Sequence, residues 1–97
     1  MIENFASPGT HDIAYGFDTK AARKCLPAEL HRRAHRMMTV LESARKIEEM
    51  GLPPGNRLEA LKGDRDGFYS VRINDQWRIV FRWDNGNAFD VEICDYH

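Results

Sequence analysis

The second half of the chain alternates apolar and polar residues, whereas the first half spaces its apolar residues three or four positions apart. A period of two is typical of strands, and three runs show it clearly: Phe68 to Ile73, Trp77 to Trp83, and Ala88 to Cys94. A shorter run, Arg57 to Leu61, predicts a further strand. The segment 84–87 has the Asn-Gly chemistry of a tight hairpin turn. This half therefore predicts an antiparallel sheet of about four strands.

In the first half, the longest helix is predicted to begin at Pro27, because proline is favoured in the first helical turn. Its apolar residues fall on one face: Leu30, Ala34, Met37, Met38 and Leu41. Shorter elements are predicted around it: a strand from Ile2 to Phe5, a helix from His11 to Phe17, and a helix from Ala44 to Met50 that a glycine- and proline-rich segment at 51–55 ends. This order predicts an α+β fold with N-terminal helices packed on a small antiparallel sheet. The length predicts a single domain, residues 1–97.

Alternation also divides the side chains of the sheet between two faces. The apolar face, which we expect to form the core, takes Tyr69, Val71, Ile73, Trp77, Ile79, Phe81, Trp83, Phe89, Val91 and Ile93. The polar face takes Ser70, Arg72, Arg78, Val80, Arg82, Asp90, Glu92 and Cys94, and we do not expect helices to bury it. Two interpretations of the polar face are open. Its arginines bind phosphate, or they form salt bridges with Asp90 and Glu92 across the strands.

Composition narrows the class of protein. Hydrophobic residues make up 42% and charged residues 30% of the chain, as in soluble globular domains. No apolar stretch approaches the length of a membrane span, and no signal peptide is recognisable, so we expect a cytoplasmic protein without membrane partners. Cys25 and Cys94 lie far apart and favour two reduced thiols over a disulfide or zinc site. His31 and His35 share a helix face, but no further ligand completes a metal site there.

Charge is unevenly distributed, although the net charge is only −1. Residues 20–46 contain eight basic residues and two acidic ones, whereas residues 1–19 contain three acidic residues and no lysine or arginine. A concentrated positive segment in a nearly neutral protein is either a surface that faces a polyanion or the solvated face of helices.

The last three residues of the sequence combine a carboxylate, a phenol and an imidazole: Asp95, Tyr96 and His97. They follow directly on the last predicted strand, and pairing within a sheet would hold them in place. An imidazole with its ordinary pKa of about 6.5 suits proton transfer near neutral pH. This triplet is therefore the strongest candidate for acid–base chemistry in the chain.

An ordered set of short motifs runs along nearly the whole chain: Met1 to Phe5, Leu58 to Arg65, Gly67, Tyr69 to Asn74, Trp77 to Ile79, and Asp95 to His97. Together they resemble the HigB-type branch of the RelE-like toxins of bacterial toxin–antitoxin pairs. The resemblance implies a small RelE-like α+β fold and a ribosome-dependent endoribonuclease that cuts mRNA in the decoding site of the small ribosomal subunit. It also implies neutralisation by a helix-turn-helix antitoxin of the HigA type. Operator DNA would then be reached only through the antitoxin, and neither metal nor other cofactor is implied.

Five positions match residues at the family's active face: Lys62, Arg78, Asp95, Tyr96 and His97. In RNA cleavage of this kind a 2′-hydroxyl attacks the adjacent phosphate, so a base, an acid and cations are required. We expect His97 to transfer the proton and Asp95 to orient its imidazole. Tyr96 would contact phosphate or stack on a base, while Arg78 and Lys62 would neutralise the developing charge.

One position departs from the family pattern. Several HigB-type toxins have a histidine in the stretch LHPLKGDR, where this chain has Glu59 in LEALKGDR. Glu59 would replace that histidine as a catalytic base only in a buried site, and beside Lys62 we expect orientation or ribosome contact instead. The remaining arginines of the site, Arg65, Arg72 and Arg82, are expected to bind the substrate RNA.

Two other functions are open. The missing family histidine favours a toxin-like module that no longer cuts and acts by binding within an antitoxin complex. A metal-dependent hydrolase that uses Asp95 and His97 is the weaker alternative.

Overall fold

A computed structural model of the protein describes residues 1–51 and 56–95. Three α-helices come first: α1 (Pro8–Ala14), α2 (Lys20–Cys25) and α3 (His31–Ser43). Four strands follow: β1 (Glu59–Ala60), β2 (Phe68–Arg72), β3 (Trp77–Asp84) and β4 (Asn87–Asp95). They form one antiparallel sheet in the order β1-β2-β3-β4. The predicted α+β fold, with helices before a small antiparallel sheet, is confirmed.

The helical part differs from the prediction mainly in its boundaries. Helix α1 begins at Pro8, before the predicted start, because the Ser7 hydroxyl accepts a hydrogen bond from the Thr10 amide. Helix α2 was not predicted, and it is capped in the same way by Thr19. The segment after Pro27 first makes a 3₁₀ turn, Ala28–Leu30, and then becomes α3.

Further differences lie between α3 and β2. The helix predicted from Ala44 to Met50 is instead a 3₁₀ helix, Ile47–Gly51, and another 3₁₀ turn spans Gly63–Arg65. Strand β1 contains only two residues of the predicted Arg57–Leu61 run. The predicted breaker at 51–55 lies outside the described residues except for Gly51, as do Tyr96 and His97.

The core lies between the helices and the apolar face of the sheet. Four of the five predicted stripe residues of α3 are buried in it: Ala34, Met37, Met38 and Leu41. Leu30 precedes α3 and is partly buried. The sheet contributes Val71, Ile73, Ile79, Phe81, Val91 and Ile93 as predicted. Within the described ranges, no helix combines the length and the apolar character needed to cross a membrane.

Two histidines hold the helices together. The His31 imidazole lies 2.7 Å from the carbonyl oxygen of Leu26, and the His35 imidazole lies 3.1 Å from that of Ile13. Each ring therefore donates to a carbonyl near the end of an earlier helix, where carbonyls lack intrahelical partners. This packing role accounts for the i, i+4 spacing of the two histidines without a metal.

Strand β4 is held on both of its edges. On one edge it pairs with β3, and on the other the predicted first strand forms two isolated parallel bridges, Ile2 to Ala88 and Phe5 to Val91. Further along this outer edge, the buried Thr10 hydroxyl accepts a hydrogen bond of 3.1 Å from the Ile93 amide. The strand is thus secured on both sides to within two residues of Asp95.

A bulge in β4 overturns one assignment made from the sequence. Val80 pairs with Glu92 but Arg82 pairs with Phe89, so β4 has one extra residue between these two pairs. Asp90 lies there with a φ of 54°, in the left-handed region. The prediction that Phe89 belongs to the apolar face is therefore wrong. Phe89 lies on the polar face with Arg82, and Ala88, which is fully buried, takes its place in the core.

Candidate active site

The sheet register places the predicted site residues in two neighbouring rows across the polar face. One row runs through Glu59, Ser70, Val80 and Glu92, one residue from each strand. The next row contains Arg72, Arg78 and Cys94. Within residues 1–51 and 56–95 the helices pack on the opposite, apolar face, yet Ser70, Arg78 and Val80 are buried. The polar face is therefore not a plain solvated surface.

Arg78 is the most enclosed charged side chain of this face, with 10% of its surface exposed. Its Nη1 donates to the Ser70 hydroxyl at 2.6 Å and to the Arg57 carbonyl at 3.4 Å. Its Nη2 donates to Glu59 Oε1 at 3.2 Å, which makes an ion pair. Burial of a guanidinium is costly unless acceptors replace its water, and here three acceptors do so.

Glu59 lies at the exposed side of this arrangement. Its side chain is 52% exposed, and its carboxylate pairs with Arg78. This position fits the predicted orienting role and does not fit a base enclosed away from water. Arg72 lies in the same shallow depression as Glu59 and Arg78 and forms an ion pair with Asp75.

A second, open cavity adjoins the first depression. It is lined by Leu61, Lys62, Arg65, Val80, Cys94 and Asp95 and has a volume of about 450 Å³. Cys94 of β4 lines this cavity and pairs directly with Arg78 of β3. The cavity therefore lies next to the strand that carries the buried guanidinium. Three predicted site residues, Lys62, Arg65 and Asp95, thus share one cavity beside Arg78 and Glu59.

Asp95 is the last described residue of β4. It pairs with Trp77 in the sheet register, and its Oδ2 accepts a hydrogen bond of 3.0 Å from Gln76 Nε2. The carboxylate is therefore fixed by the turn between β2 and β3. Tyr96 and His97 lie outside the described residues, so their roles stay predictions.

Arg82 lies apart from both cavities. Its guanidinium sits over the Phe89 ring at 4.3 Å, and its Nε lies 3.9 Å from Asp90 Oδ2. This is the cross-strand salt bridge that was one of the two interpretations of the polar face. The salt-bridge interpretation therefore holds for Arg82. Arg78 and the cavity that contains Lys62 lie at the opposite end of the polar face.

The thiol in the cavity is a poor nucleophile. Burial, followed by the nearby Glu92 carboxylate, raises the pKa of Cys94 to about 11, and Arg65 offsets this only in part. Burial likewise raises the pKa of Cys25. Both thiols therefore stay protonated at neutral pH, and neither forms a disulfide.

Two polar residues of the site were missed by sequence reasoning as functional candidates. Ser70 was assigned to the correct face, but a single serine carries no chemical signal. Gln76 lies in a turn whose geometry the sequence does not reveal.

The fold is similar to that of a solved bacterial protein. The chain superposes on a structure titled "The structure of YoeB dimer from Staphylococcus aureus" with a TM-score of 0.56 and 20% identity. The match covers 100% of this chain and 93% of that chain. The likeness shows a shared fold, in which helices pack on a small antiparallel sheet.

Sequence comparisons place the chain more closely. Residues 10–97 match the family model described as HigB-like toxin, the RelE-like toxin of type II toxin–antitoxin system HigB. The protein therefore belongs to the HigB-like toxin family. It is 32% identical over 97 residues, the full length of both chains, to "Endoribonuclease HigB" of Proteus vulgaris. It is 30% identical over 75 residues to "Toxin HigB-1" of Vibrio cholerae serotype O1, covering 77% of this chain and 79% of that protein.

Proposed function

We propose that this protein is a ribosome-dependent mRNA endoribonuclease, the toxin of a type II toxin–antitoxin pair. The observation that carries the proposal is the grouping of Lys62, Arg65 and Asp95 in one cavity beside the buried Arg78. The Proteus vulgaris relative that aligns over the full length is named an endoribonuclease, which supports the same activity here.

The cations of the site act on the scissile phosphate. As the 2′-hydroxyl attacks, negative charge builds on the phosphate oxygens and on the leaving 5′-oxygen. Arg78 and Lys62 stabilise that charge by charge-assisted hydrogen bonds, and Arg65 binds the neighbouring backbone. Arg72, ion-paired to Asp75, and Arg82, paired to Asp90, extend the basic surface on either side. These cations account for cleavage without a metal ion.

Proton transfer is assigned to His97. Asp95, fixed by Gln76, orients the imidazole, and Tyr96 contacts the phosphate or stacks on a base next to the cleavage point. Glu59 is not the base in this scheme, because it is half-exposed and ion-paired to Arg78. With glutamate and not histidine at position 59, His97 is the imidazole that serves acid–base chemistry in this scheme.

Ribosome binding is assigned to the helical layer. The basic segment of residues 20–46 includes α2 and α3, which pack on the apolar side of the sheet and hence opposite the polar face. Arg33 and Arg36 of α3 line one shallow depression there. Ribosomal RNA phosphates fit this surface, while mRNA fits the polar face. Binding of this kind releases cations that are condensed on the RNA phosphates. Added salt opposes this release, so the affinity is expected to fall steeply as the salt concentration rises.

The toxin class implies an antitoxin partner. In this proposal the antitoxin is a HigA-type helix-turn-helix protein, which alone contacts operator DNA. Toxin and antitoxin then meet in the cytoplasm, where the ribosome and mRNA are found.

The test uses purified protein, ribosomes and a defined mRNA, with newly formed 5′ ends mapped by primer extension. The wild type is expected to create new ends only when ribosomes are present. Deletion of His97 alone is expected to abolish those ends while ribosome binding persists. Translation arrest by the wild type without new ends would contradict the endoribonuclease and favour the non-cleaving module. Full cleavage by the His97 deletion would contradict the role given to that imidazole.

A further inference from the structure

Ser70 lies beneath the guanidinium of Arg78, in the middle of the sheet. It is fully buried on β2, between Glu59 of β1 and Val80 of β3 in the register. Its hydroxyl accepts the shortest of the three hydrogen bonds that Arg78 donates to Ser70, Arg57 and Glu59, at 2.6 Å. A serine in this place has no role in the hydrophobic core, because it lies on the polar face.

The three acceptors fix the plane of the guanidinium and not merely its position. Ser70 and the Arg57 carbonyl both bind Nη1, whereas Glu59 binds Nη2. A planar group held at both terminal nitrogens, by acceptors from two separate segments of the chain, cannot rotate without losing hydrogen bonds.

The backbone at Arg57 is bent to complete this arrangement. Arg57 has a φ of 45°, in the left-handed region that residues other than glycine rarely occupy. Such a conformation persists only where surrounding contacts over-determine it, and it turns up most often at functional sites. Here the carbonyl of that residue is the second acceptor for Arg78 Nη1.

Two of these three acceptors carry no charge. Ser70 and the Arg57 carbonyl are neutral, and the Glu59 side chain is 52% exposed, so its charge is screened by water. A fully buried carboxylate in the place of Ser70 would have neutralised the cation. A neutral hydroxyl holds the guanidinium without adding negative charge.

We infer that Ser70 is a positioning residue for cleavage: it sets the orientation of Arg78 toward the scissile phosphate, with the Arg57 carbonyl as its partner. The inference rests on the proposed endoribonuclease function. Since a misaligned cation weakens the transition state more than the bound ground state, Ser70 acts on the rate of the chemical step.

The test compares single-turnover mRNA cleavage on ribosomes for four proteins: the wild type, Ser70→Ala, Arg78→Lys and the double variant. Ser70→Ala is expected to lower the maximal rate about 10- to 100-fold, the range of a hydrogen bond to a charged group. The ribosome concentration that gives half-maximal rate is expected to change less than about twofold. A lysine cannot bridge the same acceptors, so Ser70→Ala is expected to add less than about threefold to the loss in Arg78→Lys.

Glu48→Gln is the control for the rates, because Glu48 is exposed and lies outside both the polar face and the basic segment of residues 20–46. Its cleavage rate is expected to equal that of the wild type. Ser43→Ala is the matched hydroxyl control for the spectra of the free protein, because the Ser43 hydroxyl donates to carbonyls of its own helix. Ser70→Ala at the wild-type rate, or a loss that multiplies fully with that of Arg78→Lys, would overturn the inference. A wild type that produces no cleavage would contradict the proposed function instead, whatever Ser70 does.

A second readout separates positioning from misfolding. In nitrogen-15 NMR spectra of the free protein, the Nη groups of Arg78 are expected to show slow rotation and slow hydrogen exchange in the wild type and in Ser43→Ala. In Ser70→Ala the same signals are expected to average while the backbone amide spectrum stays folded. Restricted Arg78 signals that persist without the Ser70 hydroxyl would overturn the inference independently of any activity.

Discussion

The hydroxyl of Thr10 accepts a hydrogen bond from the amide of Ile93, a residue 83 positions later in the chain. Both groups are buried, and the contact secures the outer edge of β4 just before Asp95. The same hydroxyl also contacts Ser7 and Cys25, so it ties α1 and α2 to the last strand. The placement of the site therefore depends on a residue far from it in sequence.

Replacement of Thr10 by valine is expected to lower the free energy of unfolding by about 1–3 kcal/mol, the cost of leaving a buried amide without an acceptor. Valine has nearly the same shape, so loss of packing contributes little. Urea denaturation measures the change. Thr39→Val, at an exposed hydroxyl that bonds within its own helix, is the control and should change the stability by less than about 0.5 kcal/mol. Equal stability of Thr10→Val and the wild type would show that the bond adds nothing.

Replacement of Glu59 by glutamine tests its role as a partner of Arg78. Glutamine keeps a hydrogen-bond acceptor but removes the charge, so cleavage is expected to slow by less than about tenfold with the same pH dependence. Rates on ribosomes between pH 5.5 and about pH 8.5 measure this. If Glu59 were the catalytic base, Glu59→Gln would lower the maximal rate about 100-fold or more. It would also remove the fall in rate at acidic pH from the pH–rate profile.

Strong alkali is expected to weaken the fold through Cys94. Its pKa is raised from 9.0 to about 11, so the folded protein holds this proton more tightly than the unfolded chain does. The stabilising contribution is then complete below pH 9 and is lost as the pH rises toward 11. The free energy of unfolding should fall less steeply over this range in Cys94→Ala than in the wild type. Parallel curves for the two proteins would contradict the shift.

Replacement of Gly9 by alanine tests the close approach of α1 and α2. A Cβ atom there would lie 2.5 Å from Cys25 Cβ and 2.6 Å from the carbonyl oxygen of Ala21. The helices must separate to admit it, at a cost of about 1–3 kcal/mol. Gly51→Ala is the control, since its Cβ would meet Leu58 at an ordinary 3.4 Å. Thermal unfolding should show a lower Tm for Gly9→Ala alone, and similar Tm values for both variants would refute the close contact.

The sequence predicted the strands well because their alternation is long and regular, as in β3. It failed at α2, whose six residues include three charged ones and too few apolar ones to form a stripe. It also misplaced Phe89, because counting in twos cannot detect the extra residue that a bulge inserts. Local patterns thus reveal elements but not the exceptions that tertiary pairing creates.

For the site, charge and the family resemblance led to the prediction of Arg78, Lys62 and Asp95 as functional residues, and this stays a prediction. The burial of Arg78 was not predicted, because the residues of the polar face are mostly polar or charged and such residues are usually exposed to solvent. The contact between Glu59 and Arg78 depends on the pairing of β1 with β2 and of β2 with β3, which no local pattern specifies. Ser70 became a functional candidate only because Arg78 Nη1 lies 2.6 Å from its hydroxyl in the structure.

The bridges from Ile2 to Ala88 and from Phe5 to Val91 have a consequence for biosynthesis. Ile2 and Phe5 are synthesised long before their partners in β4, so these two bridges can form only after β4 has been made. Contacts that span nearly the entire chain slow folding, because a long loop must close before they form. A chain still being translated therefore lacks the outer pairing of β4, the strand that carries Asp95. The arrangement around Asp95 is completed only after β4 has been synthesised.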